Sequence, residues 1–300
     1  MDTHQEQSVL RLSIWATLGV GLIGVGVGLW SSSQSITFDG FYSIVDSALT
    51  VVALLVSRLV AREGSRRFQF GYWHFEPLFT TFNGTILTLA CLYAFLGAVT
   101  SLATGGHRID FGPAAAYALV IAISSYVMLF YVGRKARALD SELLRIDARG
   151  WLMGGSMSTS LLASFGLGSL LVGTDYAYLV PYVDPAVLMV LALVLLPLPV
   201  STVTRSLREV FQLAPSGLDT QVREVMDATC RKYGFVRYRS YVMKIGRAQF
   251  IEIQILTTPH FKVGEITDLD RIRAEIGAQL GESSPQRWLT IAFTSNPAWI

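Results

Sequence analysis

Six apolar stretches, each long enough to cross a lipid bilayer, constrain this chain more than any motif in it. A spanning helix needs about 20 mainly apolar residues, because the rise is about 1.5 Å per residue and the hydrocarbon core is about 30 Å thick. Such stretches cover roughly residues 9–30, 36–61, 77–103, 113–133, 143–173 and 183–204. The fifth begins inside the polar run "RKARALDSELLRIDARGW" and is expected to enter lipid only near Trp151. Hydrophobic residues make up 52% of the chain and charged residues 15%, where ordinary soluble domains carry about 25% charged residues. The apolar excess sits in the first two thirds, so a membrane domain over residues 1–210 and a soluble tail over 211–300 are expected. Glycine is frequent in the spans ("LGVGLIGVGVGL", "FGLGSLLVG"), as it is where helices approach closely.

Loop charges predict the orientation. Arginine and lysine crowd the second connection, "SRLVAREGSRRFQFGYWHFE", and the fourth, "GRKARALDSELLRIDAR", and Arg205 and Arg208 follow the last span. The first connection, "SSSQSIT", is uncharged, and the fifth, "GTDYAYLVPYVDP", carries only acid. Positive charge favours the cytoplasmic side, so both termini are expected there. The opening "MDTHQEQSVLRLSIWATLGV" lacks a basic n-region and a small-residue cleavage site, so the first apolar stretch is expected to stay. No eukaryotic targeting feature is present, which points to a bacterial inner membrane. The net charge of +2, without a basic aromatic patch, argues against nucleic acid. Cys91 and Cys230 cannot build a disulfide framework.

The tail reads differently. "LDTQVREVMDATCRKYG" spaces Leu218, Val222, Val225 and Met226 as one helix face, with Gly234 as its end. "FVRYRSYVMKI" and "AQFIEIQIL" alternate as strands joined at Gly246. A second amphipathic helix, "VGEITDLDRIRAEIGAQLG", and a third strand, "RWLTIAF", follow. The order α-β-β-α-β predicts a two-layer α+β domain of ferredoxin-like type. The whole chain is thus expected to be an all-α six-helix membrane bundle with a cytoplasmic α+β tail.

Within the second span, "FDGFYSIVDSALT" places Asp46 about ten residues in, or about 15 Å along the axis. A carboxylate there costs at least a few kcal/mol unless it is paired, solvated or bound to a cation. One reading is a protonated or arginine-paired acid; the other is a cation or proton site. Tyr42, four residues earlier, shares the face of Asp46 and can join it around one ion. An interfacial or packing tyrosine is the alternative.

Six spans with a small α+β tail resemble the cation diffusion facilitator family of metal efflux transporters. "SITFDGFYSIVDSALTV" is similar to that family's second-helix motif, with Tyr42 and Asp46 on the two ligand positions and Asp39 on the preceding Asp. "RRFQFGYWHFEPL" resembles its cytoplasmic signature, with Gly71, Glu76 and Pro77 in register. "VDPAVLMVLAL" resembles the start of its sixth helix. The fifth helix departs from the pattern. In "RIDARGWLMGGSMS", Asp147 matches a frequent Asp or Asn, but Gly150 and Gly154 occupy the ligand positions.

The resemblance implies a proton-coupled secondary transporter for a divalent cation, with no enzyme activity, no cofactor, and the metal as transported substrate. None of His4, His74, His107 and His260 lies in a predicted span, and Tyr42 and Asp46 are oxygen donors suited to harder cations. Mn²⁺ or Fe²⁺ is therefore expected over Zn²⁺. Met153 and Met157 flank the glycines and are either packing or soft contacts. Asp147 is expected at the inner mouth and Asp39 at the exit of a metal path; an ordinary charge cluster with Arg145 and Arg149 is the other reading of Asp147. His74 loosely matches a loop histidine and is a candidate for proton coupling. The tail is expected to form a homodimer without metal, since Gln254 and Gly264 stand where the family tends to have histidine. The competing reading is a non-transporting partner of an active transporter, which the two glycines favour.

Overall fold

The computed structural model describes residues 3–30, 34–62, 65–106, 113–171, 173–262, 264–281 and 287–300. The side chains of 3, 28, 34–39, 41, 42, 45, 113, 114, 165 and 184 lie outside that description. The chain forms two compact units, Met1–Ser206 and Leu207–Ile300.

The first unit is helical: α1 (Thr3–Trp30), α2 (Gln34–Val60), α3 (Phe75–Ala103), α4 (Pro113–Ala138), α5 (Glu142–Leu171), α6 (Val180–Leu195) and α7 (Pro197–Val210), which runs into the second unit. Its surface is more apolar than that of a water-soluble bundle, and its interior, beside an apolar core, holds small polar residues. Ser13, Ser57, Thr80, Ser125 and Ser164 are buried, while Trp15, Leu22, Leu89, Tyr93, Phe130 and Leu170 point outward. In water so large an apolar surface would drive aggregation; in lipid it is the solvated face, and small polar residues mediate helix contact inside. Among the described residues, four stretches are long and apolar enough to span: His4–Val27, Phe75–Ala103, Ala115–Ala138 and Ala177–Val210. α2 and α5, which the sequence also predicts as spans, fall outside this set. They are the helices that carry Asp46, Asp147, Gly150 and Gly154, and much of the first half of α2 lies outside the described side chains.

Local chemistry fixes how these helices meet. A Cβ on Gly40 of α2 would overlap the backbone of Gly24 and Val25 of α1, so the two helices touch closely there only because the site is glycine. The α4–α5 connection is three residues long, with Asp140 at φ 46° and the Ser141 hydroxyl accepting from Leu144 N at 3.2 Å as an N-cap. The sixth apolar stretch is not one uniform helix. Pro197 and Pro199 have no N–H to give the carbonyls one turn back, and α6 gives way to α7 at Leu196.

The second unit contains α8 (Ser216–Tyr233), β1 (Arg237–Ile245), β2 (Ala248–Leu256), α9 (Ile266–Gln279) and β3 (Arg287–Thr294). Gly234 ends α8 in the left-handed region at φ 67°. β1 and β2 are antiparallel, with Ile245 opposite Ala248, and Gly246 at φ 57° supplies the first turn position of a two-residue hairpin. β2 and β3 are parallel, which requires a crossover; α9 provides it, opened by a capping box between Glu265 and Asp268. Ile251, Ile253 and Ile255 of the central strand pack with Val222, Met226 and Ile276 of the helices. Tyr241 and Trp288 are exposed, and Phe250 and Trp288 stack at 6.2 Å.

Candidate cation site

Asp46 is partly buried on α2 and borders a cavity of about 620 Å³ within the helical unit. Among the described residues, no Lys, Arg or His pairs with its carboxylate. The facing position on α5 is Gly150. A Cβ built there would lie 3.6 and 3.7 Å from the two Asp46 carboxylate oxygens, and one built on Gly154 would lie 3.9 Å from the Ser125 hydroxyl. The fifth helix therefore directs both predicted ligand positions inward and leaves them without side chains. Thr17, Ser43 and Ser125 add hydroxyl residues to its lining. Met153 and Met157 also line the cavity, together with Leu188, Leu191 and Leu195 of α6.

One turn along α2, Thr50 ties the two acids together. Its hydroxyl donates to Asp147 Oδ1 at 3.1 Å and lies 3.2 Å from the carbonyl of Asp46. Asp147 is 9% exposed, and among the described residues its Oδ2 has no hydrogen-bond partner within bonding distance. The adjacent turn is fixed by Trp151, whose indole N–H donates to Ser13 of α1 at 2.8 Å. α2 and α5 thus meet in two rungs, Asp46 opposite Gly150 and Thr50 bonded to Asp147. Asp147 does not line the cavity. It is held behind it, toward α1, and its ion-paired neighbours are elsewhere: Arg145 pairs with Asp140 and Glu142, and Arg149 bonds Thr202.

The other predicted residues separate from this centre. Asp39 and Tyr42 stand on the α2 backbone, with 42 and 46 one turn apart, but their side chains lie outside the described residues. His107 also lies outside them. His74 precedes α3 in an aromatic knot, its ring 4.5 Å from Phe75 and 5.6 Å from Phe68. Gly71, at φ 85°, supports the turn that folds this knot. In the tail, Gln254 donates to Glu252 at 3.0 Å. Among the described residues, no three His, Cys, Asp or Glu side chains cluster closely enough to hold a metal.

Thr50, Ser13 and the buried pair of Glu6 and Ser57 were not singled out from the sequence. A signal was present: Asp46, Thr50 and Ser57 recur on one face of α2, and Glu6 and Ser13 on one face of α1.

The cation efflux transmembrane domain model matches residues 10–210, well over half of the chain. The chain belongs to the cation efflux family. Family members are transporters rather than enzymes, so this cation efflux protein is an integral membrane protein that carries metal cations across a membrane. The metal is cargo. Across from Asp46, α5 presents Gly150 rather than a second side chain.

Proposed function

We propose that the protein exports a divalent cation in exchange for protons by alternating access, with Mn²⁺ or Fe²⁺ favoured over Zn²⁺. The observation that carries this reading is the Asp46 carboxylate, free of any described cation at the edge of a cavity among helices. A carboxylate in such a place is stabilised by a visiting positive species or a proton, and exchange of one for the other is the chemistry of coupled export. Tyr42 is assigned with Asp46 as metal ligand, and Asp39 and Asp147 as stations outward and inward of it. The preference for a hard ion follows from oxygen donors and from glycine at positions 150 and 154, which leaves room for retained water. His74 is assigned to proton coupling from its place in the basic loop before α3.

The reading includes six spans with both termini in the cytoplasm of a bacterial inner membrane, α2 and α5 being the two interior spans. It also includes a homodimer joined through the tail, whose outward sheet residues Tyr241, Phe250 and Trp288 suit a partner surface. The alternative, a non-transporting partner subunit, draws on the missing fifth-helix ligands. Vesicles containing the purified protein, scanned across Mn²⁺, Fe²⁺, Zn²⁺, Co²⁺ and Cd²⁺ with and without a pH gradient, separate the two. Gradient-dependent Mn²⁺ or Fe²⁺ flux that is lost in Asp46→Asn supports export; no flux with any ion supports the partner subunit.

A further inference from the structure

The cavity beside Asp46 is larger and more two-faced than an ion requires. Its volume is about 620 Å³. A divalent ion with a full shell of six waters occupies roughly 180 Å³, at about 30 Å³ per water, whereas sites for small organic molecules span about 300–1,000 Å³. Its polar lining is Asp46 and the hydroxyl residues Thr17, Ser43 and Ser125. Its apolar lining includes Leu188, Leu191 and Leu195 of α6. Glycine at 150 and 154 keeps this space open, because a side chain at either position would project in front of Asp46 or Ser125. Met153 and Met157 also line it, and thioether side chains repack around varied shapes.

From this geometry we infer that the cavity binds amphiphilic organic cations, the charged centre against Asp46 and the apolar body against the α6 leucines. One carboxylate matches one positive charge without further ligands, so this site needs neither the absent fifth-helix donors nor a metal. An apolar body recovers about 25 cal/mol per Å² of surface it removes from water, which an inorganic ion cannot do. The inference shares Asp46 with the metal reading but does not depend on metal transport.

The test is equilibrium dialysis of radiolabelled tetraphenylphosphonium against the full-length protein in detergent micelles. Binding is expected to be saturable, about one per chain, and weakened at least tenfold in Asp46→Asn. Gly154→Leu, which keeps the carboxylate and fills the space facing Ser125, is expected to weaken it similarly while eluting as the wild type on size exclusion. No saturable binding to the wild type, or equal retention by wild type and Gly154→Leu, overturns the inference and indicates simple partition into detergent. Mn²⁺ flux in the same preparation keeps the two readings apart. Flux without tetraphenylphosphonium binding leaves metal export standing and removes this inference; binding without flux does the reverse.

Discussion

Replacing Gly150 with aspartate returns an acid to the fifth-helix position that faces Asp46, and the structure sets the size of the effect. A Cβ at 150 lies 3.6 and 3.7 Å from the Asp46 oxygens, ordinary contact distances, so the backbone accepts a side chain without a clash. Gly150→Ala is the control and should be neutral or stabilising, since alanine is favoured over glycine inside a helix by about 0.8–1 kcal/mol. In Gly150→Asp, a second carboxylate extends from that Cβ to within roughly 4 Å of the first. Two unit charges at that separation repel by about 4 kcal/mol at an effective dielectric of about 20. This is an upper bound on what the empty protein loses, because one carboxyl can take up a proton instead. A divalent ion between the two reverses the sign. The assay is thermal unfolding of the full-length protein in micelles near neutral pH, in chelator and then with Mn²⁺ or Zn²⁺. In chelator, Gly150→Asp should melt below Gly150→Ala, and metal should raise its midpoint more than it raises that of the control. Coincident midpoints in chelator, with equal shifts on adding metal, would refute the placement of position 150 opposite Asp46.

Thr50→Val removes the hydroxyl that donates to the buried Asp147 Oδ1; a loss of about 1–3 kcal/mol is expected, measured by denaturant unfolding, with Thr50→Ser largely retaining stability. Gly40→Leu should sharply lower the yield of monodisperse protein because the α1–α2 crossing has no room for a Cβ, whereas Gly26→Leu, where nothing lies within 4 Å, should not. In the tail, the Lys232 ammonium and the Tyr233 hydroxyl donate to Glu275 at 2.6 and 2.7 Å and hold its carboxyl below the ordinary glutamate range. A depressed folded-state pKa stabilises above the unfolded value and loses that stabilisation as pH falls through the folded value. Hydrogen exchange of α9, corrected for intrinsic rates, should therefore show an acid-induced loss of protection that is absent in Glu275→Gln.

Much of the architecture was legible because lipid imposes a length and tail strands impose an alternation. Gly234 and Gly246 were readable as a helix end and a hairpin turn, and both carry the positive φ those roles demand. Asp46 was legible for an equally physical reason, as an acid in a place that rejects acids. The break between α6 and α7 was written in Pro197 and Pro199, but an apolar count passes over prolines that remove single hydrogen bonds. Thr50, Ser13 and Trp151 were harder to see, since their roles arise from contacts between three helices and no single segment contains them. The placement of Asp147 behind the cavity is of the same kind: its spacing from Gly150 gives the helix face only roughly, and the hydrogen bond from Thr50 decides the direction. The cavity itself was not legible, because two glycines read equally well as close packing or as open space.

Electron paramagnetic resonance of Mn²⁺ titrated into the full-length protein addresses the central claim, that the α2 carboxylate at position 46 holds a positive ion inside the helical unit. Free aqueous Mn²⁺ gives a sharp six-line signal that immobilised ion does not, so bound ion is counted directly. The account predicts saturable Mn²⁺ loss from the free signal in the wild type and its disappearance in Asp46→Asn. Undiminished binding in Asp46→Asn, or no binding in the wild type, contradicts it.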